Sequence, residues 1–210
     1  MPGLLSFAGC RQDKIVEIVE TEKEEDISNK DPGQEVGTAV LGGGCFWSIE
    51  AIFSQVKGVI DAEVGYAGGF KENPTYEEIY STDTGHAEVV KITFDPEIIS
   101  YSQLLNIFFF VHDPTTLNRQ GNDIGEQYRS IILFTSPEQE KIANGFITDL
   151  EEQDIYQDPI VTEVEPLDKY YRAEDYHQEY YNNNSFQSYC SVIIAPKIEK
   201  FQDRFKDILK

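Results

Sequence analysis

The stretch LGGGCFW, residues 41–47, places a cysteine between three glycines and two large aromatic residues. Glycines at the end of a strand allow positive φ values and a close approach of the backbone to a ligand. Helical periodicity begins at Phe46, so Cys45 is predicted at the first turn of a helix. Unpaired N–H groups and the helix dipole stabilise an anion there, which lowers the pKa of a cysteine. The stretch therefore favours a nucleophilic cysteine over a buried structural one, although free cysteines are often buried.

A proton donor for such a nucleophile is suggested by HAEVVKITF, residues 86–94, which alternates as a strand does. The period of two places His86 and Glu88 on a face that is otherwise apolar. Glu88 is then either an edge residue that reaches solvent or a buried acid whose raised pKa lets it donate a proton near neutral pH. The strand alone leaves both interpretations open.

Two further segments carry polar residues in unusual places. Residues 112–130 form a long irregular stretch between an apolar helix and an apolar strand, and they include Asp123 and Tyr128. Long loops in compact domains are usually either functional or disordered. Tyr76 lies in NPTYEEIYS, just after a glycine turn. A tyrosine met in isolation is more often a core aromatic with its hydroxyl at the surface.

The composition of the 210 residues excludes several classes of function. A formal charge of −21 argues against nucleic acid and anionic membrane surfaces, because phosphate binding needs clustered Lys and Arg. Three cysteines, at positions 10, 45 and 190, and three scattered histidines fit neither a disulfide framework nor a metal site. We therefore expect no metal.

The N-terminal part, residues 1–35, is expected to lie outside the folded domain, which we place at residues 36–210. LLSFAGC, ending at Cys10, resembles the end of a bacterial lipoprotein signal, and an acidic stretch typical of a solvated linker follows it. A disordered start without function is the alternative, because no Lys or Arg precedes the short apolar run. The protein is thus expected either to be lipid-anchored in the cell envelope through Cys10 or to be cytoplasmic.

Strand and helix patterns alternate along residues 36–210. Strands are predicted at 38–43, 59–69, 86–94, 129–134, 160–166 and 189–196. Helices are predicted at 46–56, 101–111, 137–153 and 169–182, and in the C-terminal segment that carries Ile198, Phe201, Phe205 and Ile208. The pieces are short and their connections irregular, so we predict an α+β fold: a two-layer α/β sandwich with a mixed sheet and a ferredoxin-like core.

Five motifs follow one another between Val40 and about Tyr181: GCFW, GG…NPTY, TGHAEVV, HDPTT…RQGNDIGEQYRS and YHQEYY. Together they resemble the peptide methionine sulfoxide reductase A family. The resemblance implies that Cys45 is the nucleophile and Glu88 the proton donor. It further implies that Tyr76 and Tyr128 bind the sulfoxide oxygen and that Phe46 and Trp47 form the slot for the substrate methyl group. Asp123 and His86 are expected to help position the substrate.

The reaction implied by the resemblance is the reduction of methionine S-sulfoxide, free or in oxidised proteins, to methionine. Cys45 would become a sulfenic acid, a second thiol would condense with it to a disulfide, and thioredoxin or a similar dithiol would reduce that disulfide. No organic cofactor is implied, and we expect a monomer.

The second thiol is where this sequence departs from the family, because many members carry it in a mobile, glycine-rich tail. Cys190 follows YHQEYYNNN as the family's first resolving cysteine does, but it lies in SYCSVIIAP, which is predicted to be a strand. A buried strand cysteine, with external reduction of Cys45, remains the alternative.

Two other functions stay open. A cysteine hydrolase or thiol peroxidase would also use Cys45, and a hydrolase would need a histidine such as His86 to activate it. A lipid-tethered binding module would instead grip methionine-rich partners through Phe46 and Trp47.

Overall fold

The computed structural model describes residues 36–210, so the predicted linker and Cys10 lie outside the described residues. The strands are β1 Gly37–Gly43, β2 Val59–Ala67, β3 Ala87–Phe94, β4 Arg119–Gln120, β5 Asp123–Ile124, β6 Ser130–Phe134, β7 Glu163–Pro166 and β8 Tyr170–Arg172. The α-helices are α1 Phe46–Phe53, α2 Tyr76–Ser81, α3 Tyr101–Val111, α4 Pro137–Glu152, α5 Tyr180–Asn184 and α6 Ala195–Arg204. A π-helical segment, Cys190–Ile194, precedes α6, and 3₁₀ turns lie at Glu126–Tyr128, Asp175–His177 and Lys206–Ile208.

Six strands form one sheet in the order β7-β6-β1-β3-β2-β8. β6 and β7 pair in parallel, whereas every other neighbouring pair in this sheet is antiparallel. The sheet is therefore mixed, as the sequence predicts, and the α+β class is confirmed. β4 and β5 form a separate two-stranded hairpin in the long polar stretch before β6.

The main core lies between one face of the sheet and the helices. Apolar side chains of α1, α3, α4 and α6 pack there against sheet residues that include Leu41, Tyr66, Val90 and Ile132. The opposite face carries a smaller cluster, which is covered by Leu167 and Tyr170. Removal of apolar surface from water is the dominant favourable contribution to folding, so the packing of α1 against this face of the sheet sets the position of the helix.

Side-chain caps fix where several helices begin. Thr75 and Glu78 form a reciprocal capping box at α2, and Ser100 and Gln103 form another at α3. At α4 the Ser136 hydroxyl accepts from the Gln139 N–H, but the side-chain Oε1 of Gln139 accepts from the Thr135 N–H and not from that of Ser136. Ser136 and Gln139 therefore form only half of a capping box.

The helix predicted at residues 169–182 is wrong. Tyr170–Arg172 is an edge strand that pairs with Gly65–Ala67, and a 3₁₀ turn and the short helix α5 follow it. Gly65 makes this possible, because a Cβ there would lie 2.5 Å from Cζ of Tyr170. The aromatic ring needs that space, so a contact distant in sequence overrides the local helical pattern.

The strand predicted at residues 189–196 is also wrong, because Cys190–Ile194 is π-helical and continues directly into α6. Both edges of the sheet are already occupied by β7 and β8. This segment pairs with no strand. Its Ile194 and, in α6, Ile198 are buried in the main core instead.

Among the described residues, no helix is long and apolar enough to cross a membrane.

Candidate active site

Cys45 lies in the turn between β1 and α1, at the N-cap position of the helix. Gly44 directly before it has a φ of 91°, in the left-handed region, and a Cβ at Gly44 would lie 2.5 Å from Cγ of Gln120. A glycine is therefore required for this turn, as the sequence predicts. Cys45 is only 7% exposed, so its thiol is almost closed off from water.

Glu88 lies on β3 beside the start of α1 and is 1% exposed. Its Oε2 accepts a hydrogen bond of 3.0 Å from the Phe46 N–H, and its Oε1 accepts one of 2.9 Å from the Tyr80 hydroxyl. Burial raises the pKa of Glu88 to about 7, and the two hydrogen bonds only partly oppose that rise. Of the two interpretations open for this strand face, the structure thus favours the buried acid.

The pKa of Cys45 is raised, chiefly by burial and then by the charge of Glu88. The Tyr189 hydroxyl and the Trp47 backbone N–H lower this pKa, but by less. The expected lowering of the Cys45 pKa is therefore wrong for the substrate-free site, because removal of the sulfur from water outweighs the helix start. Burial thus favours the uncharged thiol in the substrate-free site.

Tyr76 and Tyr128 flank Glu88, and a third tyrosine lies between them. The Tyr76 backbone N–H donates to Oε1 of Glu174 at 2.9 Å, which anchors the start of α2. Tyr80, one helical turn later, places its ring centroid 4.6 Å from that of Tyr76 and its hydroxyl 2.5 Å from that of Tyr128. Sequence reasoning missed Tyr80, although its spacing of four residues from Tyr76 places both on one helix face.

The two aromatics after Cys45 belong to a larger aromatic cluster. Phe46 is buried, and Trp47 is partly buried and stacks on Tyr180 with ring centroids 3.8 Å apart. The Trp47 indole N–H donates to Nδ1 of His177 at 3.2 Å. His177 was not identified from the sequence, although it is the histidine of the YHQEYY motif. It fixes the indole plane beside the thiol.

Asp123 lies at the start of β5 and is bound by Tyr189, whose hydroxyl donates to its Oδ2 at 2.6 Å. The same hydroxyl interacts with the Cys45 sulfur. Tyr189 therefore links the polar hairpin to the nucleophile, and no feature of the sequence identified it. Its only signal is its place directly before Cys190.

Cys190 is completely buried in the core at the first position of the π-helical segment. Cys45 and Cys190 are both free thiols, so the structure represents the reduced protein. The role of Cys190 as the second thiol stays a prediction.

His86 is held away from the thiol by two backbone bonds. Its Nδ1 accepts from the Gly69 N–H at 3.1 Å, and its Nε2 is 2.8 Å from the Lys71 carbonyl oxygen. These bonds use both ring nitrogens to fix the turn before β3. A substrate-binding role for His86 therefore stays a prediction, and these contacts support a structural role.

The residues from 36 to 210 contain no group of three or more His, Cys, Asp or Glu side chains that could hold a metal ion. What the cluster does offer is a sulfur nucleophile, a buried acid beside it, and hydroxyl donors around that acid. Such an arrangement can attack an electrophilic centre and deliver a proton to the atom that leaves.

Comparison with known proteins agrees with this chemistry. The family model described as "Peptide methionine sulfoxide reductase" matches residues 37–209. The peptide methionine sulfoxide reductase MsrA of Saccharolobus solfataricus is 53% identical over 172 residues, which are 82% of this chain and 96% of that protein. The MsrA of Trichodesmium erythraeum is 55% identical over 170 residues, which are 81% and 96% of the two chains.

Solved structures give the same result. Methionine sulfoxide reductase A of Corynebacterium diphtheriae superimposes with a TM-score of 0.66 at 36% identity, over 74% of this chain and 78% of that one. Mxr1 of Saccharomyces cerevisiae in reduced form gives a TM-score of 0.69 at 31% identity, over 77% and 92% of the two chains. The match of the family model and the identity to these relatives over most of the chain show that it belongs to the peptide methionine sulfoxide reductase family.

Proposed function

We propose that this protein reduces methionine S-sulfoxide, free or within oxidised proteins, to methionine. The observation that carries the proposal is the contact of the Glu88 carboxyl, whose pKa is raised to about 7, with the N–H of Phe46, the residue directly after Cys45. Membership of the family, the Cys45 thiol and the Glu88 carboxyl all fit one reaction, the removal of an oxygen atom from sulfur. Repair of oxidised proteins is the role that follows.

The first step forms a bond from the Cys45 sulfur to the sulfoxide sulfur while Glu88 delivers its proton to the sulfoxide oxygen and takes up the proton that the thiol loses. Two hydroxyls, those of Tyr76 and Tyr128, hold that oxygen, and Phe46 and Trp47 surround the methyl group. The oxygen then passes to the Cys45 sulfur as the bond between the two sulfur atoms breaks. The thiol is oxidised to a sulfenic acid and the sulfoxide is reduced to methionine.

The second step needs another thiol, and we propose that Cys190 supplies it. Its sulfur condenses with the Cys45 sulfenic acid to give a disulfide and one water molecule, and thioredoxin or a similar dithiol reduces the disulfide by exchange. Disulfide geometry requires Cα atoms within about 7 Å. The π-helical geometry around Cys190 supports the proposal, because π-helical turns are rare, strained and often found at functional sites.

The hydrolase alternative is weakened by the position of His86. A hydrolase needs a histidine nitrogen free to accept the thiol proton, whereas both nitrogens of His86 are bound to backbone groups. Formation of a sulfenic acid or a disulfide during turnover distinguishes the reductase from a hydrolase, which forms neither.

We also propose that the central strands form the ferredoxin-like core expected from the sequence. Support comes from the order β6-β1-β3-β2, in which β3 lies between β1 and β2 and is antiparallel to both. An experimental structure with another strand order would contradict this.

Of the two locations, we propose the lipid-anchored one. LLSFAGC and the acidic stretch after it fit a cysteine anchor followed by a spacer. Expressed in a bacterial host from its full native reading frame, the protein should sediment with membranes, and Cys10→Ala should release it whereas Cys190→Ser should not. An unmodified Cys10 in soluble protein would contradict the anchor.

Cys45→Ser should abolish reduction of methionine S-sulfoxide with dithiothreitol as reductant, because an alcohol without an activating base is too weak a nucleophile. Methionine release is measured by chromatography, and circular dichroism checks that the variant is folded. More than a trace of activity in this variant would place the nucleophile elsewhere.

Glu88→Gln should slow the first step by about 10²–10⁴-fold, because the amide keeps the size of the acid but has no proton to donate. The protonated form of Glu88 is the active one and its pKa is about 7, so the wild-type rate should fall as the pH rises through about 7. That fall should be missing in Glu88→Gln. Glu165→Gln, on the exposed part of β7, is the matched control and should keep the wild-type rate and pH profile.

Cys190→Ser should release one methionine per enzyme molecule at the normal rate and then fail to cycle with thioredoxin. Dithiothreitol should partly restore turnover, because it can reduce the sulfenic acid directly. Ser191→Ala, at the exposed next position, serves as the control. Full cycling of Cys190→Ser with thioredoxin would show that Cys190 is only a core residue.

A further inference from the structure

Tyr80 is the one tyrosine of the site to which neither the sequence nor the mechanism gives a task. It lies on α2 one turn after Tyr76 and is 44% exposed, whereas Glu88 and Cys45 are 1% and 7% exposed. Tyr80 therefore stands on the solvent side of the two reacting groups. A ligand that approaches Glu88 from solvent along this side meets the Tyr80 side chain first.

The Tyr80 hydroxyl contacts the same polar groups that the reaction needs. It is 2.9 Å from Oε1 of Glu88 and 2.5 Å from the Tyr128 hydroxyl. It also interacts with the hydroxyl of Tyr76. Glu88, Tyr76 and Tyr128 are the three groups that hold and protonate the sulfoxide oxygen in the proposed function. One phenol oxygen thus has all three partners of the substrate oxygen.

Only one oxygen of the Glu88 carboxyl, Oε1, is left to contact a substrate. Its Oε2 is bound by the Phe46 backbone N–H, which belongs to the fixed start of α1. The proton that is donated to the substrate must therefore leave from Oε1, the atom that Tyr80 occupies. A protonated carboxyl donates one hydrogen bond at a time along this direction, so the Tyr80 hydroxyl and a sulfoxide oxygen exclude each other.

We propose that the Tyr80 hydroxyl occupies the place of the sulfoxide oxygen in the free enzyme and must turn outward before substrate binds, so that Tyr80 sets the substrate affinity. This inference rests on the proposed function. Its consequence is quantitative, because the apparent affinity of a site falls in proportion to the fraction of molecules that are open. Once the sulfoxide is bound, the hydroxyl has left and no longer affects the chemical step.

The same competition acts only on ligands that carry the oxygen atom. A sulfoxide oxygen is a strong acceptor that replaces all three contacts of the phenol, whereas the thioether of methionine has no oxygen with which to do so. Return of Tyr80 to Glu88 therefore opposes sulfoxide binding but not the binding of methionine through its methyl group alone.

The test is Tyr80→Phe, which removes the hydroxyl and keeps the ring. With N-acetylmethionine S-sulfoxide and dithiothreitol, KM should fall by roughly tenfold, equivalent to about 1.4 kcal/mol, while kcat stays within about twofold. Tyr171→Phe is the matched control, because that hydroxyl bonds Glu72 at the surface, and its kinetic constants should equal those of the wild type. A lower kcat with unchanged KM, or no change in either constant, would overturn the proposal.

Binding without turnover gives an independent measurement. Trp47 is the only tryptophan of the chain, so its fluorescence reports on the site alone. In a Cys45→Ser background, Tyr80→Phe should tighten the binding of dimethyl sulfoxide and leave that of dimethyl sulfide unchanged; equal effects on both ligands would contradict competition for the oxygen position. A wild-type enzyme that reduces no sulfoxide would instead overturn the proposed function, so the two failures are distinguishable.

Discussion

The hydrogen bond from the Phe46 N–H to the Glu88 carboxyl is the contact on which the site depends. It joins the first turn of α1 to the middle strand pair of the sheet across 42 residues of sequence. The same bond fixes the nucleophile, because Cys45 immediately precedes Phe46, and fixes the acid, because it leaves a single carboxyl oxygen for chemistry. Gly42 lets the two strands approach here, since a Cβ at that position would lie 2.7 Å from the Glu88 carbonyl oxygen. The absence of a side chain at Gly42 thus lets the strand that carries the buried Glu88 lie close to the strand that leads into α1.

Burial has opposite consequences for the two reacting groups. It raises the pKa of Glu88 to about 7, which keeps a proton available, and it also raises the pKa of Cys45, which withholds the thiolate. An uncharged thiol is less easily oxidised by small oxidants, because the thiolate is the reactive form. The resting site therefore protects its own sulfur, and loss of the Glu88 proton leaves a negative carboxylate, whose charge opposes ionisation of the thiol further. Burial lowers the pKa of Lys197, and the negative charges of Cys45 and Asp123 only partly oppose that effect.

Local patterns in the sequence predict most of the sheet and the helices that pack on it. The alternation in β3 identifies the face of Glu88, and the glycines identify the turn before Cys45. The errors fall between residues 169 and 196, where no local pattern decides. There a glycine on β2 makes room for Tyr170, and an already filled sheet edge leaves Cys190 in a helix. Tyr80, His177 and Tyr189 were missed for the same reason: each acts through a partner that is distant in the sequence.

The segment that carries Cys190 is fixed at both ends. On one side Tyr180 stacks on Trp47, and on the other side Leu209 forms a β-bridge with Val56, just beyond the end of α1. Both contacts lie on or next to the same helix, α1. The segment between them can therefore lengthen only if its helical turns extend. Extending one helical residue gains about 2 Å of chain length. The five residues of Cys190–Ile194 therefore hold on the order of 10 Å of additional length, which is how much farther from the start of α6 the thiol can lie when this segment extends.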